Sequence, residues 1–464
     1  MPKIIVLGAG VCGLAAGMLL AQDGHEVTVL ERDDAAAPGT PQQAWESWTR
    51  PGVNQFRQAH FLLPSGRAIL DQDLPQVAAA LAAAGAARVD LLSVMPPGIT
   101  DRAPRPHDDR FVTLTARRPV LEQAFARCAQ ATPGLDIRRG ARVAGLVARG
   151  DNQTPHVTGV RLEGSERLRA DLVVDAMGRG SPLPSWLTQA GAGPVREQAE
   201  DSGYTYYSRF FRSPNGRVPD ARAPLLTALG SFSLLTLPAD NHTWSVTVYL
   251  SSRDQPLKRL REPDAWTRLV AACPLHAHWL DGEPITGIEP MAGVADRRRR
   301  LSAGGQPLVT GAALLADSWA CTNPSQGRGI SLGLRHARLL RDVARTHLDG
   351  DPRQFAAAWD KVTETELAPW YDDTVATDRG RVREMDALRR GAQPPAPDPP
   401  LAAFLSAMAH DPDLFRAFLE CQAGLTTLAD ILARPGLLDR ARKMAGAVSP
   451  IPAPGRPQIL RLLG

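Results

Sequence analysis

The tightest constraint on this chain sits within its first 31 residues. Lys3–Leu7 is a short β-branched run, Val11–Gln22 is rich in Ala and Leu, and Gly8-Ala9-Gly10-Val11-Cys12-Gly13 joins them. The first run reads as a buried strand and the second as a helix. His25–Leu30 alternates apolar and polar residues and reads as a second strand ending at Glu31. In such a βαβ opening Gly8 permits the tight turn, Gly10 lets a pyrophosphate approach the backbone, and Gly13 lets helix and strand pack closely. The helix N-terminus offers free N–H groups and a positive dipole end to the phosphates. Glu31 can accept from ribose hydroxyls and would repel a 2′-phosphate, which disfavours NADP at this turn. Lys3 and the apolar residues through Leu20 mimic a signal peptide, but the three glycines and Gln22-Asp23 argue against one.

The chain has 464 residues, 44% of them hydrophobic and 22% charged, enough to bury a large core and too apolar for general disorder. The net charge of +4 is mild. Its one dense basic cluster, Arg297–Arg300, reads as a solvated turn rather than a nucleic-acid patch. The five cysteines are scattered with no CxxC pair, so neither a zinc site nor a disulfide framework is indicated, no metal is expected, and a reducing cytoplasm fits. No other stretch approaches 18 uninterrupted apolar residues, so no membrane span is expected.

Further along, 34–66 reads as irregular, 67–88 as helical, 94–109 as a surface loop and Pro119–Ala131 as a helix. Asp136–Arg139, Arg142–Ala148 and Val157–Glu163 read as strands of one meander. Leu172–Ala176 reads as a buried strand entering a Gly-rich turn, and residues 203–250 as an antiparallel sheet. Leu308–Ala313 reads as a strand before a second Gly-rich turn. From Ile330 onward the chain reads as helical, with one Pro-rich interruption at Gly391–Pro400.

Three more segments could carry chemistry. In Arg118-Pro119-Val120-Leu121-Glu122 an Arg stands at a helix start, suited to phosphate or ribityl oxygens. Asp171-Leu-Val-Val-Asp175-Ala176-Met177-Gly178-Arg179-Gly180-Ser181 is a strand followed by a glycine turn. Ala316-Asp317-Ser318-Trp319-Ala320-Cys321-Thr322-Asn323-Pro324-Ser325-Gln326-Gly327-Arg328-Gly329-Ile330 joins an acid, an Asn-Pro pair and a Gly-x-Gly before a helix.

Together with the opening turn, these segments resemble the flavoprotein monooxygenases of the aromatic-hydroxylase type. Their broad superfamily includes squalene and polyether epoxidases, flavin halogenases and prenyl reductases, and the likeness is closer to the epoxidase-like members. It spans residues 1–340. The resemblance implies an α/β chain: a Rossmann-like FAD-binding domain (1–200 and 290–345), an inserted antiparallel-sheet substrate domain (201–289) and a C-terminal helical region (346–464). It implies FAD as cofactor, with Gly8, Gly10, Gly13, Glu31, Arg32, Arg50, Gln55, Arg118, Gly178, Asp317, Pro324, Gly327, Gly329 and Ile330 around it. Asp317 would bind ribityl hydroxyls and Pro324 would sit beside the isoalloxazine. Gly327 and Gly329 would let the following helix aim its N-terminus at the flavin. Arg57 and His60 are further candidates for flavin contact. His60 is the one candidate catalytic side chain, with a structural histidine as the competing reading.

Two departures stand out. Met177 falls where the hydroxylases carry an Asp beside the glycine, which puts direct NAD(P)H handling in doubt; electrons would come from NAD(P)H or from a partner flavin reductase. Ala316 replaces the usual glycine. Trp45 and Trp48 do not reproduce the WxWxIP signature of tryptophan halogenases. Cys12 and Cys321 read as packing residues. The implied activity transfers one oxygen atom from a flavin C4a-hydroperoxide to a hydrophobic small molecule, by epoxidation or hydroxylation. Halogenation, prenyl-type reduction and a non-catalytic flavin-binding role are the alternatives. Tyr206, Phe210, Trp244 and Trp370, with Tyr204 and Tyr249, are the expected substrate wall.

Overall fold

The computed structural model describes residues 1–53, 55–150 and 154–464. Five strands form a parallel sheet in the order Ala312–Leu314, Leu172–Asp175, Lys3–Leu7, Glu26–Glu31, Leu135–Arg139. A parallel sheet must be covered on both faces, which explains why its central strands are continuously apolar. On one face Ile4 and Val6 pack with the helices Val11–Gln22, Arg118–Gln130 and Gly329–His347. On the other, Ile5 and Leu7 meet Val157, Leu183 and Trp319. The helix Val11–Gln22 is buried almost all round, so its sequence shows Ala and Leu on every side rather than a stripe.

Sequence places Asp136–Arg139 in a meander with the two segments that follow it; the strand observed there is Leu135–Arg139. Instead it is the parallel edge strand beside Glu26–Glu31, with Arg139 opposite Glu31. The meander is built from Val143–Arg149, His156–Leu162 and Arg167–Arg169. Alternation identifies a strand but not its partner.

A second sheet runs Leu226–Leu229, Phe232–Pro238, Thr243–Ser251, Tyr204–Arg212, with Glu283–Pro284 and Glu289–Ala292 both pairing on Tyr204–Arg212. One face packs Phe211, Trp244 and Phe232 against Trp266, Ile459 and Leu463, so the last helix, Arg456–Leu463, covers this sheet. The basic run proves not to be a solvated turn. Ala295–Arg300 is a strand between Arg196–Asp201 and Ala320–Cys321. Its guanidiniums find acids in turn: Arg297 and Arg299 take Glu197, Arg298 takes Asp372, and Arg300 takes Asp360.

Beyond Gly329 the described chain is mostly helical, as expected, but its helices are interrupted more than once, the longest breaks being 390–398 and 445–455. Among the described residues no helix is long and apolar enough to cross a membrane.

Candidate functional site

Three loops leave the parallel sheet at the same end and are fastened to one another. A Cβ on Gly13 would meet the Gly8 carbonyl oxygen at 2.1 Å, and one on Gly8 the Ala176 oxygen at 2.7 Å. Only glycine allows this approach. Asp175 ties in the third loop. Its carbonyl accepts the Leu315 N–H at 2.9 Å and the Ser318 hydroxyl. Its carboxylate accepts the Met177 N–H at 3.0 Å and the Ser181 hydroxyl at 2.5 Å. Burial pushes this carboxyl up to about 6. The glycine turns at residues 8–13, 176–181 and 316–329 thus converge, although up to about 300 residues separate them.

A cavity of about 930 Å³ opens among them. Gly8, Gly10, Gly13, Glu31, Arg32, Arg50, Gln55, Arg118, Gly178, Asp317, Pro324, Gly327, Gly329 and Ile330 all line it. The shape leaves room for an extended ligand. A Cβ on Gly10, Gly178, Gly180 or Gly329 would meet no protein atom within 4 Å. These glycines are therefore not needed for packing, and each faces space that a side chain would obstruct. Asp317 lines the cavity, where withdrawal from bulk water raises its pKa against the opposing charges of Arg118 and Arg179.

Charge at the first strand–helix turn is arranged in depth. The Arg50 guanidinium reaches Glu31 at 2.5 Å, Glu122 at 2.6 Å, Asp33 at 3.2 Å and the Ala9 carbonyl at 3.1 Å. It is buried and neutralises acids rather than presenting itself to phosphate. Glu31 also accepts the Ala9 N–H on Oε2 and the Asp33 N–H on Oε1. A carboxylate oxygen has two lone pairs, so Oε1 retains capacity for a ribose hydroxyl. Arg118 donates to Glu122 at 2.7 Å and lies near Asp317 and His60. Arg57 is withdrawn from the site: it donates to the Trp45 and Trp48 carbonyls and stacks over Trp45. Ala141, Arg142, Val143, Glu163 and Trp186 line the cavity too, and motif reading did not find them.

A family model for NAD(P)-binding Rossmann-like domains matches residues 6–64. Protein Rv3254 of Mycobacterium tuberculosis is 28% identical over 384 residues, which span 79% of this chain and 77% of that protein. The flavin-dependent brominase Bmp2 superposes with a TM-score of 0.61 at 16% identity, over 95% of this chain and 98% of its own. PqsL of Pseudomonas aeruginosa, described as a probable FAD-dependent monooxygenase, gives 0.59 at 16% identity, over 84% and 98%. This is the fold of flavin-binding oxidoreductases.

Within that fold, the loop Thr322–Gly327 and the start of the helix Gly329–His347 line the cavity. Ala316 adopts φ +52°, the left-handed region that the usual glycine would take without strain. Its N–H is held by Nδ1 of His336 at 3.0 Å. That ring stacks on Trp359, and burial pushes its pKa down to about 3, so it stays neutral. Cys12 is packed below Gly333, where an added Cβ would lie 2.2 Å from its sulfur. Burial raises the Cys12 thiol to about 12 and the Cys321 thiol well above its usual value, so neither offers a thiolate. His60 lines the cavity, but burial and the Arg118 charge push it down to about 3. Its Nδ1 faces the Gln58 carbonyl at 2.9 Å and so carries the proton. A neutral imidazole of this kind is no proton donor at neutral pH.

Away from the glycine turns the cavity lining is mostly apolar, with Thr227 and Gln422 as polar members. Leu225, Leu226, Leu235 and Leu237 come from the antiparallel sheet and its approach, Leu91, Val94 and Pro96 from the segment after Ala87–Asp90, and Met408, Phe415, Phe418 and Leu419 from the C-terminal helices. None of Tyr206, Phe210, Trp244 and Trp370 lines it. Tyr206 and Phe210 are on the same sheet face as Leu235 and Leu237 but are covered, Tyr206 bonding to Asn323 and Phe210 stacking on Trp45. Trp244 points to the opposite face and donates its N–H to the Trp279 carbonyl at 2.8 Å. Trp370 lies beneath the Arg328 guanidinium. The aromatic residues suggested a wall, whereas strand parity and coverage leave smaller aliphatic residues facing the space.

Proposed function

We propose that the chain is an FAD-dependent monooxygenase acting on a hydrophobic small molecule. The observation that carries this reading is one continuous cavity whose lining combines the glycine turns with a set of apolar side chains. Bound there, FAD would supply the redox chemistry, activation of O2 and transfer of one oxygen atom. The Gly8–Gly13 turn would receive the pyrophosphate, Glu31 Oε1 the ribose, and Asp317 the ribityl chain. Pro324 and the Gly327–Ile330 segment would flank the ring system, with the helix N-terminus Gly329–His347 stabilising negative charge. Leu235, Leu237, Met408 and Phe415 would hold the substrate and exclude water. Electrons would come from NAD(P)H or from a partner flavin reductase.

The test is preparative. Purified protein is expected to be yellow and to release FAD rather than FMN, and the loaded protein to consume O2 in a substrate-dependent way. A protein that cannot be loaded with FAD overturns the reading. Halide-dependent turnover, or alkene saturation without O2 uptake, replaces the monooxygenase with a halogenase or a reductase.

A further inference from the structure

Behind the loop Thr322–Gly327 lies a buried polar network with no part in the reading above. Asp378, on the helix Ala368–Arg389, is 2% exposed. Its Oδ1 accepts from the Ser325 hydroxyl at 2.5 Å, and its Oδ2 accepts from the Asn323 side-chain amide at 3.0 Å. Asn323 accepts the Tyr206 hydroxyl at 2.7 Å, and its backbone N–H donates to Asp296 at 2.6 Å. Ser325 lines the cavity. The residue bonded to this buried carboxyl is therefore also part of the lining of the space assigned to the reaction.

The surroundings of Asp378 leave its charge largely uncompensated. Asp296 faces it from the strand Ala295–Arg300, Tyr204 and Tyr206 from Tyr204–Arg212, Tyr249 from Thr243–Ser251, and Arg328 from the start of the long helix. On its own helix, Arg381 turns to Ser233 and Glu384, and Arg379 to Glu200. Arg328 is already committed to Asp373 at 2.6 Å and Thr374 at 2.9 Å. Burial raises the Asp378 carboxyl to about 7, with Asp296 acting in the same direction and the Ser325 and Asn323 bonds opposing.

We propose that Asp378 is a positioning residue that stores a proton and exchanges it with an oxygen atom in the cavity through the Ser325 hydroxyl. When Asp378 is protonated its bond to Ser325 reverses, the carboxyl O–H donating to Ser325 Oγ and the Ser325 O–H turning to the cavity; the Asp378 O–H bond then breaks as Ser325 Oγ takes that proton, while the Ser325 O–H proton passes to an anionic oxygen of the cavity ligand. A carboxylate remains at Asp378, no electrons change hands, and solvent later returns the proton. The inference rests on the flavin-dependent reading, because that chemistry consumes a proton per turnover.

The test uses FAD-loaded protein reduced with dithionite and mixed with O2, so that no substrate is needed. Reoxidation is followed from about pH 5 to about pH 9, the range over which a group near neutrality controls a rate. Wild type is expected to change rate about tenfold with a step near neutrality, and Asp378→Asn and Ser325→Ala are expected to stay within about twofold while keeping FAD. A second readout is the stability of the cofactor-free protein. A carboxyl whose pKa rises on folding stabilises below its unfolded value of about 3.9 and loses that contribution as pH rises through its folded value. Asp378→Asn should remove this slope between about pH 4 and 7, whereas Ser325→Ala should keep it. FAD-loaded variants that retain the wild-type rate profile, or an unchanged stability slope in Asp378→Asn, overturn the proposal alone. Wild type that cannot be loaded with FAD overturns it together with the functional reading. If Asp378→Asn does not fold, Ser325→Ala decides the rate arm.

Discussion

At one end of the cavity, backbone meets backbone: Gly8, Gly13 and Ala176 approach so closely that a methyl group has no room, and Arg50 is locked among Glu31, Asp33 and Glu122. At the other end Leu235, Met408, Phe415 and Phe418 come from segments far apart in the chain and face one another across open space. The first region is defined by close contacts that leave no room for a side chain at Gly8 or Gly13; the second is defined by what it leaves out, namely charge. A rigid, polar, locally encoded end suits a fixed cofactor, and an apolar end assembled from distant helices suits a variable guest.

The sharpest way to break this comparison lies within the glycine turn itself. Gly13→Ala places a Cβ 2.1 Å from the Gly8 oxygen, so the turn must move. The expected loss is more than about 3 kcal/mol, seen as insoluble protein or a strongly lowered Tm. Gly10→Ala meets no protein atom within 4 Å. It should melt within about 2 °C of wild type, since it creates no clash, yet carry little or no FAD. If Gly10→Ala retains full FAD, the open space beside Gly10 is not the pyrophosphate site.

The next pair sets the two ends against each other. Asp317→Ala should weaken FAD retention roughly tenfold, the loss of one charge-assisted hydrogen bond, with the apolar lobe intact. Leu235→Arg should leave FAD content unchanged and abolish binding of an apolar fluorophore, because a guanidinium would sit in a lobe with no acid to pair it. FAD and fluorophore content measured on both variants check this. A fluorophore lost from Asp317→Ala, or FAD lost from Leu235→Arg, would mean that the two regions are not separable.

The same contrast explains what could be read in advance. The opening strand–helix–strand, Asp317 and the Gly327–Ile330 turn are short-range patterns whose geometry follows from glycine and helix ends, and the residues named from them line one cavity. The apolar lobe is not local. Trp244, an aromatic of the 203–250 sheet, is expected in the wall from sequence, but strand parity turns it to the outer face, and parity needs a register that sequence does not give. Phe415 and Phe418 carry no motif, and only the packing of Pro412–Gln422 against the cavity reveals them. Arg297–Arg300 misled for a related reason: its acids, Glu197, Asp360 and Asp372, lie about 60 to 100 residues away. Asp378 was invisible because its significance comes from burial beside Ser325, not from any pattern around it.

Acid offers a milder probe of the cofactor end. His336 and His60 are both held neutral with pKa values of about 3. A histidine whose pKa is depressed on folding binds its proton more tightly when unfolded. Stability is therefore fully present above the unfolded value of about 6.5 and falls as pH drops from there toward 3. His336→Gln should shallow that fall in the Tm of cofactor-free protein between about pH 6.5 and 4, and an unchanged slope would show that His336 does not titrate on unfolding.

The smallest effect concerns Ala316, where the cofactor end departs from its own logic. This residue holds φ +52° with a Cβ in place, while its neighbour across the turn, Gly333, is kept bare to admit Cys12. Left-handed backbone costs a non-glycine residue about 1 to 2 kcal/mol, and glycine gives back about 0.5 to 1 kcal/mol through the entropy of the unfolded chain. Ala316→Gly should therefore stabilise the protein by about 0.5 to 1 kcal/mol, a Tm rise of about 1 to 3 °C, without altering FAD content. A lowered Tm would mean that the methyl contact over Gly333 outweighs the strain, and that this turn, unlike the Gly8–Gly13 turn, is held by side-chain packing rather than by backbone geometry.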